Sequence, residues 1–524
     1  LLQPVMRPVF DTQAFGDILI SSARSAGKDN LIGDARTFED VLKARWRQYH
    51  QDWGVSGSFD KFWMAAVEAG GYIEKSAADE KVKVAVNPKA FQMTFGMPSF
   101  AQTESPSPHD PILLPYASVK SFDGRSANRA WLQELPDPIT QAVWDTWVEM
   151  HPDMARAHGI EKGDLVTLRN FFGEINVPVY ITEYIHPAVV GVPVGNGHSE
   201  YGRFASGVGD NVKRLLPAKL DKLSGTLALL STKVSVLRGR GKGGLVSTAG
   251  SDSQQGRELA RTTFVDGKTN GKHHGGHAGH HEPKQMYVQR KHPLYNWGMT
   301  VDLAACTGCS ACVVACYSEN NIPMVGKKVV SQGREMSWIR IERYHDGTAD
   351  SPQVSFLPLM CQHCNSAPCE PVCPVYATYH NEEGLNVMVY NRCVGTRYCS
   401  NNCPYKVRRF NWLESKHPEP LNWQLNPDVT PRVAGVMEKC TFCVQRIQKA
   451  KDKAKDMGRL VEDGEVQPAC VQSCPTQALT FGNLDDDGSR VSKNRKDHRA
   501  YQLLDHHLNT QPSVSYLENK RYKI

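Results

Sequence analysis

Cysteine is the residue type in this sequence whose number and spacing could do chemistry. All 15 cysteines lie between Cys306 and Cys474, and no cysteine precedes them. An odd number of cysteines cannot be satisfied by disulfides alone, and a chain of 524 residues does not need disulfides to replace a missing core. Dense clustering at short, fixed spacings indicates metal binding instead.

The cysteines fall into four groups with recurring spacings. A C-x2-C-x2-C loop surrounds one iron–sulfur cube, and a further cysteine three residues on, usually followed by proline, binds the neighbouring cluster. Four such groups predict two pairs of clusters that exchange their last cysteines. In chain order the groups are Cys306-x2-Cys309-x2-Cys312-x3-Cys316, then Cys361-x2-Cys364-x4-Cys369-x3-Cys373, then Cys393-x5-Cys399-x3-Cys403, and finally Cys440-x2-Cys443 followed by Cys470-x3-Cys474.

The third group lacks one cysteine. Its complete spacing would need a cysteine where the sequence has Thr396, and the total of 15 is also one short of four thiolates for each of four clusters. A cluster with a missing thiolate tends to lose that iron, so we infer three [4Fe–4S] clusters and one [3Fe–4S] cluster. A hydroxyl, a water or another side chain could instead hold a fourth iron here. For the whole set, the alternative is structural zinc in four-cysteine sites, although zinc ribbons lack loops that end in Cys-Pro.

The elements that must position these cysteines repeat along the chain. The segment Cys373–Tyr379 is echoed by Cys474–Thr480, and Gly384–Tyr390 predicts a β-strand that leads into the third group. This is the hairpin-and-loop pattern of a bacterial two-cluster ferredoxin, used twice. Residues 293–485 are therefore predicted to form a tandem, pseudo-twofold ferredoxin-like domain.

The remaining sequence predicts an α+β multidomain chain. Residues 1–125 predict an irregular α/β segment, with a buried helix at Phe15–Ser25 and further helices at Phe38–His50 and Phe59–Ala69. In residues 126–218, short strands between glycine turns predict a small β-barrel.

Two further segments are polar. Residues 219–292 are rich in Ser, Gly, Lys and Arg and predict a linker; its His-rich run 273–281 could bind metal, although a flexible solvated tract is the simpler interpretation. Residues 486–524 predict a C-terminal docking tail.

Composition limits the function classes. The net charge of +6 does not favour nucleic-acid binding, and the longest apolar stretches fall short of a membrane span. We therefore expect no nucleic-acid partner and a chain that could sit on a membrane subunit. The sequence begins at Leu1 without an export signal, so we expect upstream sequence to be missing.

Residues 293–485 resemble the four-cluster ferredoxin subunits of membrane-anchored respiratory oxidoreductases, such as polysulfide, dimethyl sulfoxide and nitrate reductases. The resemblance implies that the two outer groups pair and the two inner groups pair. It assigns the [4Fe–4S] ligands as Cys306, Cys309, Cys312 and Cys474; Cys316, Cys440, Cys443 and Cys470; and Cys361, Cys364, Cys369 and Cys403; it leaves Cys373, Cys393 and Cys399 for the [3Fe–4S] cluster. Tyr317 follows Cys316 where the family has proline, a departure that leaves the ligand assignment intact.

The first half of the chain resembles a different family. Ala142–Asp164 and Gly195–His198 are similar to the C-terminal barrel of molybdopterin oxidoreductases, and Pro4–Ser25 is similar to the end of the preceding α/β domain. The fusion of the two halves resembles the iron–sulfur subunit of alternative complex III, a quinol-oxidising respiratory complex. That resemblance implies a molybdopterin-oxidoreductase-like remnant without molybdenum cofactor.

The resemblance implies an electron-transfer subunit with no catalytic residue of its own. Electrons would pass from quinol through the [3Fe–4S] and [4Fe–4S] clusters towards a multihaem c-type cytochrome subunit. Polytopic quinone-binding membrane subunits would complete a hetero-oligomeric complex, with this chain peripheral on the periplasmic (outer) face of a bacterial membrane.

Three alternatives come from other classes. The chain could serve a molybdenum-dependent reductase of the polysulfide or dimethyl sulfoxide type, its N-terminal half could be pure scaffold, or it could be a zinc-dependent interaction module. The basic residues Lys406, Arg408 and Arg409 could tune a cluster, or they could form a solvated or partner-facing surface.

Low-temperature electron paramagnetic resonance (EPR) of the air-oxidised protein tests the cluster at Thr396. An oxidised three-iron cluster is paramagnetic, whereas ordinary oxidised four-iron cubes are silent. We expect a narrow, nearly isotropic signal that integrates to one spin per chain. A brown protein without that signal would mean that a non-cysteine ligand holds a fourth iron. A colourless protein would contradict the electron-transfer function, unless its clusters had been lost during purification.

Overall fold

The computed structural model describes residues 10–72, 110–220, 224–264, 290–348 and 351–521. The chain divides into two compact units, Leu1–Gly96 and Met97–Ile524. No helix within these described ranges is long and apolar enough to cross a membrane. The His-rich run 273–281 lies outside the described residues.

The helices and strands are numbered in chain order. The helices are α1 (Phe15–Ser25), α2 (Asp29–Ile32), α3 (Phe38–Asp52), α4 (Phe59–Glu68), α5 (Ala130–Gln133), α6 (Pro152–Ala157), α7 (Ala311–Glu319), α8 (Lys327–Val330), α9 (Tyr398–Asn402), α10 (Val444–Asp456), α11 (Ala469–Gln472), α12 (Arg490–Arg495) and α13 (Asp505–Leu508). The strands are β1 (Ile112–Ala117), β2 (Ala142–Val143), β3 (Val148–Met150), β4 (Asp164–Asn170), β5 (Gly173–Ile181), β6 (Val189–Val194), β7 (Ser235–Lys242), β8 (Val246–Ser247), β9 (Thr262–Phe264), β10 (Trp297–Asp302), β11 (Arg340–Gly347), β12 (Pro352–Leu359), β13 (Thr378–His380), β14 (Asn386–Met388), β15 (Arg409–Phe410), β16 (Met437–Glu438), β17 (Leu479–Asn483), β18 (Ala500–Tyr501), β19 (Val514–Leu517) and β20 (Asn519–Arg521).

The first unit is helical over its described residues. The predicted helices are present as α1, α3 and α4, and Thr37 begins α3 with a reciprocal capping box to Asp40. The prediction that α1 is a buried helix is wrong, because Ile20 is its single buried residue. Aromatic side chains from α3 and α4 pack together instead, as in the contact of Trp46 with Phe62.

A six-stranded sheet organises the start of the second unit. Its order is β1-β6-β3-β5-β4-β7, with β1 parallel to β6 and with β5 antiparallel to β4. Alternate residues such as Val166, Leu168 and Val177 are fully buried against one another. One isolated bridge, between Ile112 and Lys233, joins the two edges of this sheet. The described strands therefore do not form the closed β-barrel that the glycine turns predicted, because a single bridge replaces a continuous edge ladder.

The segment predicted as a linker contributes strands to the fold. β7 pairs with β4 in the six-stranded sheet, β8 pairs with β2, and β9 pairs with β20. The composition misled because β7 is an edge strand, whose basic side chains face solvent while Val236 is buried. Exposed Arg and Gly residues with few apolar residues between them are typical of an edge strand. The same composition is also typical of a linker, so it does not distinguish the two.

The cysteine-bearing half is built around a four-stranded sheet of order β17-β10-β19-β18. β10 pairs antiparallel with β17 and parallel with β19, and three hairpin-like pairs surround this sheet: β11 with β12, β13 with β14, and β15 with β16. The strand predicted within Gly384–Tyr390 is confirmed as β14.

The polar segment predicted as a docking tail is folded into this sheet. β19 lies beside β10, and the Tyr516 side chain is fully buried with its hydroxyl donating to the Pro358 carbonyl at 2.9 Å. The sequence pattern misled because Ser513, Ser515 and Tyr516 are polar residues that nevertheless lie buried inside the fold. The described part of residues 486–524 is thus folded into the cysteine-bearing half rather than separate from it.

The six-stranded sheet unit and the cysteine-bearing half are joined by buried polar contacts. The carboxylate of Glu134 accepts hydrogen bonds from the backbone of Val325 and Gly326 and from the Trp144 indole, at 2.8–3.2 Å. The buried Arg343 of β11 donates to the Ile139 carbonyl, to Asp252, and to the Tyr180 hydroxyl. These contacts fix the two halves as one structural unit.

The contact at Glu134 predicts a measurable loss of stability. Replacing Glu134 by alanine leaves three buried or half-buried N–H donors without an acceptor, so the free energy of unfolding of this unit should fall by about 2–4 kcal/mol. Denaturant unfolding followed by tryptophan fluorescence measures the loss. Glu174→Ala, which removes an exposed ion pair with Arg169, is the control and should change stability by less than about 1 kcal/mol. Equal effects of the two variants would contradict the role of Glu134.

Candidate metal centres

Strand pairing gathers the first set of cysteines. β10 runs into Cys306, β17 begins five residues after Cys474, and the two strands pair with Val301 opposite Leu479. The four cysteines of this set line one small cavity: Cys306, Cys309, Cys312 and Cys474. Gly308 is required in this loop, since its φ is +68° and a Cβ would approach the Phe356 ring to 2.6 Å.

A second set lies between α7, the loop before α10, and α11. Burial raises the pKa of Cys470 well above its usual range, and the nearby thiols of Cys443, Cys440 and Cys316 raise it further. Backbone N–H groups point at the sulfurs, with Phe442 donating to Cys440 Sγ at 3.4 Å. The structure thus brings together cysteines that are more than 100 residues apart in sequence.

A third set lies around Cys364. Burial raises the pKa of Cys364 well above its usual range, and so do the thiols of Cys361, Cys369 and Cys403 beside it. All four of these cysteines are buried. The thiol of Cys361 also raises the pKa of Cys440, so this set adjoins the second one.

The fourth set contains Cys373, Cys393 and Cys399, the three cysteines predicted to hold the cluster at Thr396. The hairpin β13–β14 begins five residues after Cys373 and ends five residues before Cys393, which places the two near each other. One small cavity is lined by Cys373, Cys393, Cys399, Thr396 and Arg408. The threonine therefore lies where the sequence spacing predicts a missing thiolate. The assignment of individual cysteines to clusters stays a prediction.

Of the three basic residues singled out after Cys403, Arg408 is the one beside the cysteines. Its guanidinium is buried, donates to Thr378 Oγ1 at 2.6 Å, and lies near the thiols of Cys369 and Cys399. Arg409 instead pairs with Glu335 at 2.7 Å, and Lys406 is exposed. Only the interpretation of Arg408 as a tuning residue is therefore supported by position.

Two polar residues near the cysteines were not found from the sequence. Lys439 is fully buried, and its ammonium donates to the Cys440 carbonyl at 2.9 Å. Asn320 is buried, and its carboxamide lies 3.5 Å from Cys316 Sγ and 3.8 Å from Cys443 Sγ. The lysine directly before Cys440 could have been identified from the sequence by its position next to a cysteine. The position of Asn320 becomes apparent only when α7 is folded.

These cysteine sets fit iron–sulfur clusters. All 15 cysteines are free of disulfides, and burial raises the pKa of Cys306 to about 11 and of Cys369 to about 12. Thiols of this kind are held as neutral groups until a metal replaces their protons. Among the residues that the structure describes, no three His, Cys, Asp or Glu side chains converge on a single metal ion. Convergence is not needed around a cube, because each thiolate binds a different iron.

Comparison with protein families matches both halves of the chain. Residues 112–232 match a molybdopterin dinucleotide binding domain. Residues 305–377 and 352–418 match two models of a 4Fe–4S dicluster domain. The predicted ferredoxin-like domain and the molybdopterin-oxidoreductase-like region are thus confirmed at the level of family.

Several known proteins are similar to the cysteine-bearing half. The iron–sulfur cluster-binding subunit of menaquinone reductase from Nitratidesulfovibrio vulgaris is 42% identical over 43% of this chain and 90% of its own length. A putative iron–sulfur subunit of dimethyl sulfoxide reductase from Halobacterium salinarum is 40% identical over 43% of this chain and 80% of its own. Iron–sulfur subunit 1 of an Hdr-like menaquinol oxidoreductase from Archaeoglobus fulgidus is 36% identical over 45% and 86%.

Replacing Thr396 tests whether this position is a vacant ligand site. Thr396→Cys supplies the thiolate that the spacing lacks, so the oxidised protein should lose its paramagnetic signal and gain one iron per chain. Iron analysis and low-temperature EPR measure both changes. Thr396→Val, which removes the hydroxyl and keeps the shape, should leave the signal of the unmodified protein unchanged. A signal that appears only in Thr396→Val would identify the hydroxyl as an iron ligand and contradict the prediction.

Proposed function

This chain belongs to the family of iron–sulfur cluster-binding subunits of respiratory oxidoreductases, and we propose that it carries electrons between a membrane quinol pool and a redox partner subunit. This proposal rests on the four sets of buried and half-buried cysteines in a region that matches 4Fe–4S dicluster domains. The same half of the chain is 36–42% identical to such subunits. The chain has no catalytic role of its own in this proposal.

We propose three [4Fe–4S] clusters and one [3Fe–4S] cluster, held by the four cysteine sets described above. When bound, iron–sulfur clusters supply one-electron transfer at potentials set by charge, hydrogen bonds to sulfur and solvent exposure. The chain's own residues supply the first two of these influences. Arg408 lies beside cysteines of the inner groups, Lys439 lies beside a cysteine of the outer groups, and both side chains are buried positive charges. Positive charge near a cluster stabilises its reduced, more negative state.

The names of the relatives support a reductase of the molybdenum-dependent type. They include subunits of dimethyl sulfoxide, tetrathionate and arsenate reductases. In such a complex, this chain would connect a membrane anchor with a separate molybdenum-bearing subunit. This assignment has broader support among the comparisons than the alternative complex III assignment.

The fusion of the two halves supports a quinol-oxidising complex of the alternative complex III type as a second candidate. The relatives match about 43–45% of this chain, and the remainder includes a molybdopterin dinucleotide binding domain on the same polypeptide. In this candidate, the molybdopterin-like half holds no molybdenum cofactor and electrons leave to a multihaem c-type cytochrome. In both candidates, the chain lies peripherally on quinone-binding membrane subunits. The second candidate also places it on the outer, periplasmic face of the membrane.

The complex purified from native membranes distinguishes the proposals. We expect a menaquinol analogue, added anaerobically, to reduce the iron–sulfur clusters as seen by EPR. About one molybdenum per complex and reduction of dimethyl sulfoxide or tetrathionate would identify the reductase. Absence of molybdenum together with menaquinol-dependent reduction of cytochrome c would identify the second candidate. If dithionite reduced the clusters but the menaquinol analogue did not, the proposed electron transfer from quinol would be contradicted.

A further inference from the structure

Three cysteines in the chain are followed by proline, and all three form the same turn. The residue three positions after the cysteine has positive φ in each case: Tyr376 (50°), Lys406 (51°) and Gln477 (53°). Proline restrains the preceding cysteine to extended backbone, so the chain leaves the helical path there. Cys403 shows this directly, with φ −73° and ψ 115° at the end of α9.

This turn directs a backbone N–H to the cysteine sulfur. Ala377 donates to Cys373 Sγ at 3.2 Å, and Ala478 donates to Cys474 Sγ at 3.2 Å. Val407 likewise donates its backbone N–H to Cys403. In each case the donor is the residue four positions after the cysteine.

Cys316 departs from this arrangement because Tyr317 replaces proline. α7 continues through the cysteine to Glu319, and the backbone N–H of Asn320, four positions on, donates to the Cys316 carbonyl at 3.1 Å. That N–H is therefore unavailable to the sulfur. The side chain of the same residue takes its place: the Asn320 carboxamide nitrogen lies 3.5 Å from Cys316 Sγ.

The carboxamide reaches more than one group of this set. Its nitrogen lies 3.8 Å from Cys443 Sγ and also donates to the Cys316 carbonyl at 3.2 Å. Its oxygen accepts from Gln445 Nε2 at 3.3 Å, which orients the amide with its N–H groups towards the sulfurs. Asn320 is buried, so water does not compete for these contacts.

We propose that the Asn320 carboxamide raises the reduction potential of the cluster held by Cys316, Cys440, Cys443 and Cys470, by donating to two of its sulfur ligands. Hydrogen bonds to ligand sulfur stabilise the more negative, reduced state. This inference rests on the proposed cluster sites. The side-chain amide donor distinguishes this set from the other three. Among the residues that the structure describes, no side-chain amide donates to a cysteine sulfur of those three sets.

The test is a potentiometric titration followed by EPR on the complex purified from native membranes. Asn320→Leu removes the donor at similar volume and should shift the potential of this cluster to a lower value. Asn320→Asp replaces the donor with a carboxylate of the same shape and should shift it lower still. The other clusters in the same molecule are the internal control and should keep their potentials.

Asn494→Leu is the matched control variant. The Asn494 amide also donates two hydrogen bonds, to the hydroxyls of Thr300 and Thr480, but contacts no sulfur. Its removal should leave all potentials unchanged. Unchanged potential of the cluster in both Asn320 variants would overturn the inference while leaving the proposed function intact.

A measurement on the unsubstituted complex covers the case in which the variants fail to assemble. With 15N-labelled asparagine, pulsed EPR of the reduced cluster should show coupling to the side-chain nitrogen of Asn320. Lack of that coupling in a complex with all its clusters would overturn the inference. A complex that shows no iron–sulfur signal at all would instead overturn the proposed function.

Discussion

The need to bring buried thiols from distant parts of the chain into the same small volumes governs the cysteine-bearing half. Cys306 and Cys474 are separated by the whole domain, and Cys316 meets partners that follow it by more than 120 residues. Strand pairing contributes to this at three places in the domain. β10 against β17, β13 against β14, and β15 against β16 each place a cysteine-bearing loop beside another at the end of a short ladder. The register of these strand pairs is therefore important, because a shift by one residue would move the cysteine-bearing loops away from each other.

Gathering thiols in a core also concentrates negative charge once they are deprotonated. Burial and neighbouring thiols raise the pKa of Cys440 to about 12, and they raise the pKa of Cys470 well above its usual range. The fold offsets this cost with donors and cations placed inside the core. Backbone N–H groups from left-handed turns approach the sulfurs, and Arg408 and Lys439 add two buried positive charges. The polar interior of this domain is thus a consequence of its cysteines.

The molybdopterin-binding-like sheet is a structural partner of this domain rather than a separate appendage. Glu134 and Arg343 are buried at the junction, and Lys327 of α8 pairs with Asp145 at 2.5 Å. Buried ionic groups of this kind are costly when separated from their partners, which resists relative movement of the two halves.

The sequence by itself determined the chemistry of this protein. Cysteine number, spacing and the repeat after Cys373 and Cys474 predicted a tandem ferredoxin-like domain, and the gap at Thr396 was visible without any structure. These features are legible because a ligand set is encoded by residue type and short spacing. The same local signals failed for the edge strand β7 and for β19, where polar composition suggested a linker and a tail.

The tertiary structure alone decided which polar groups serve the cysteines. Arg408 and Arg409 are adjacent in sequence, yet one lies beside thiols and the other pairs with Glu335. Asn320 acquires its place because a helix continues where three equivalent segments turn. The physical reason is that hydrogen bonds and charge act over a few ångströms in space, and those distances are set by contacts between residues far apart in the chain.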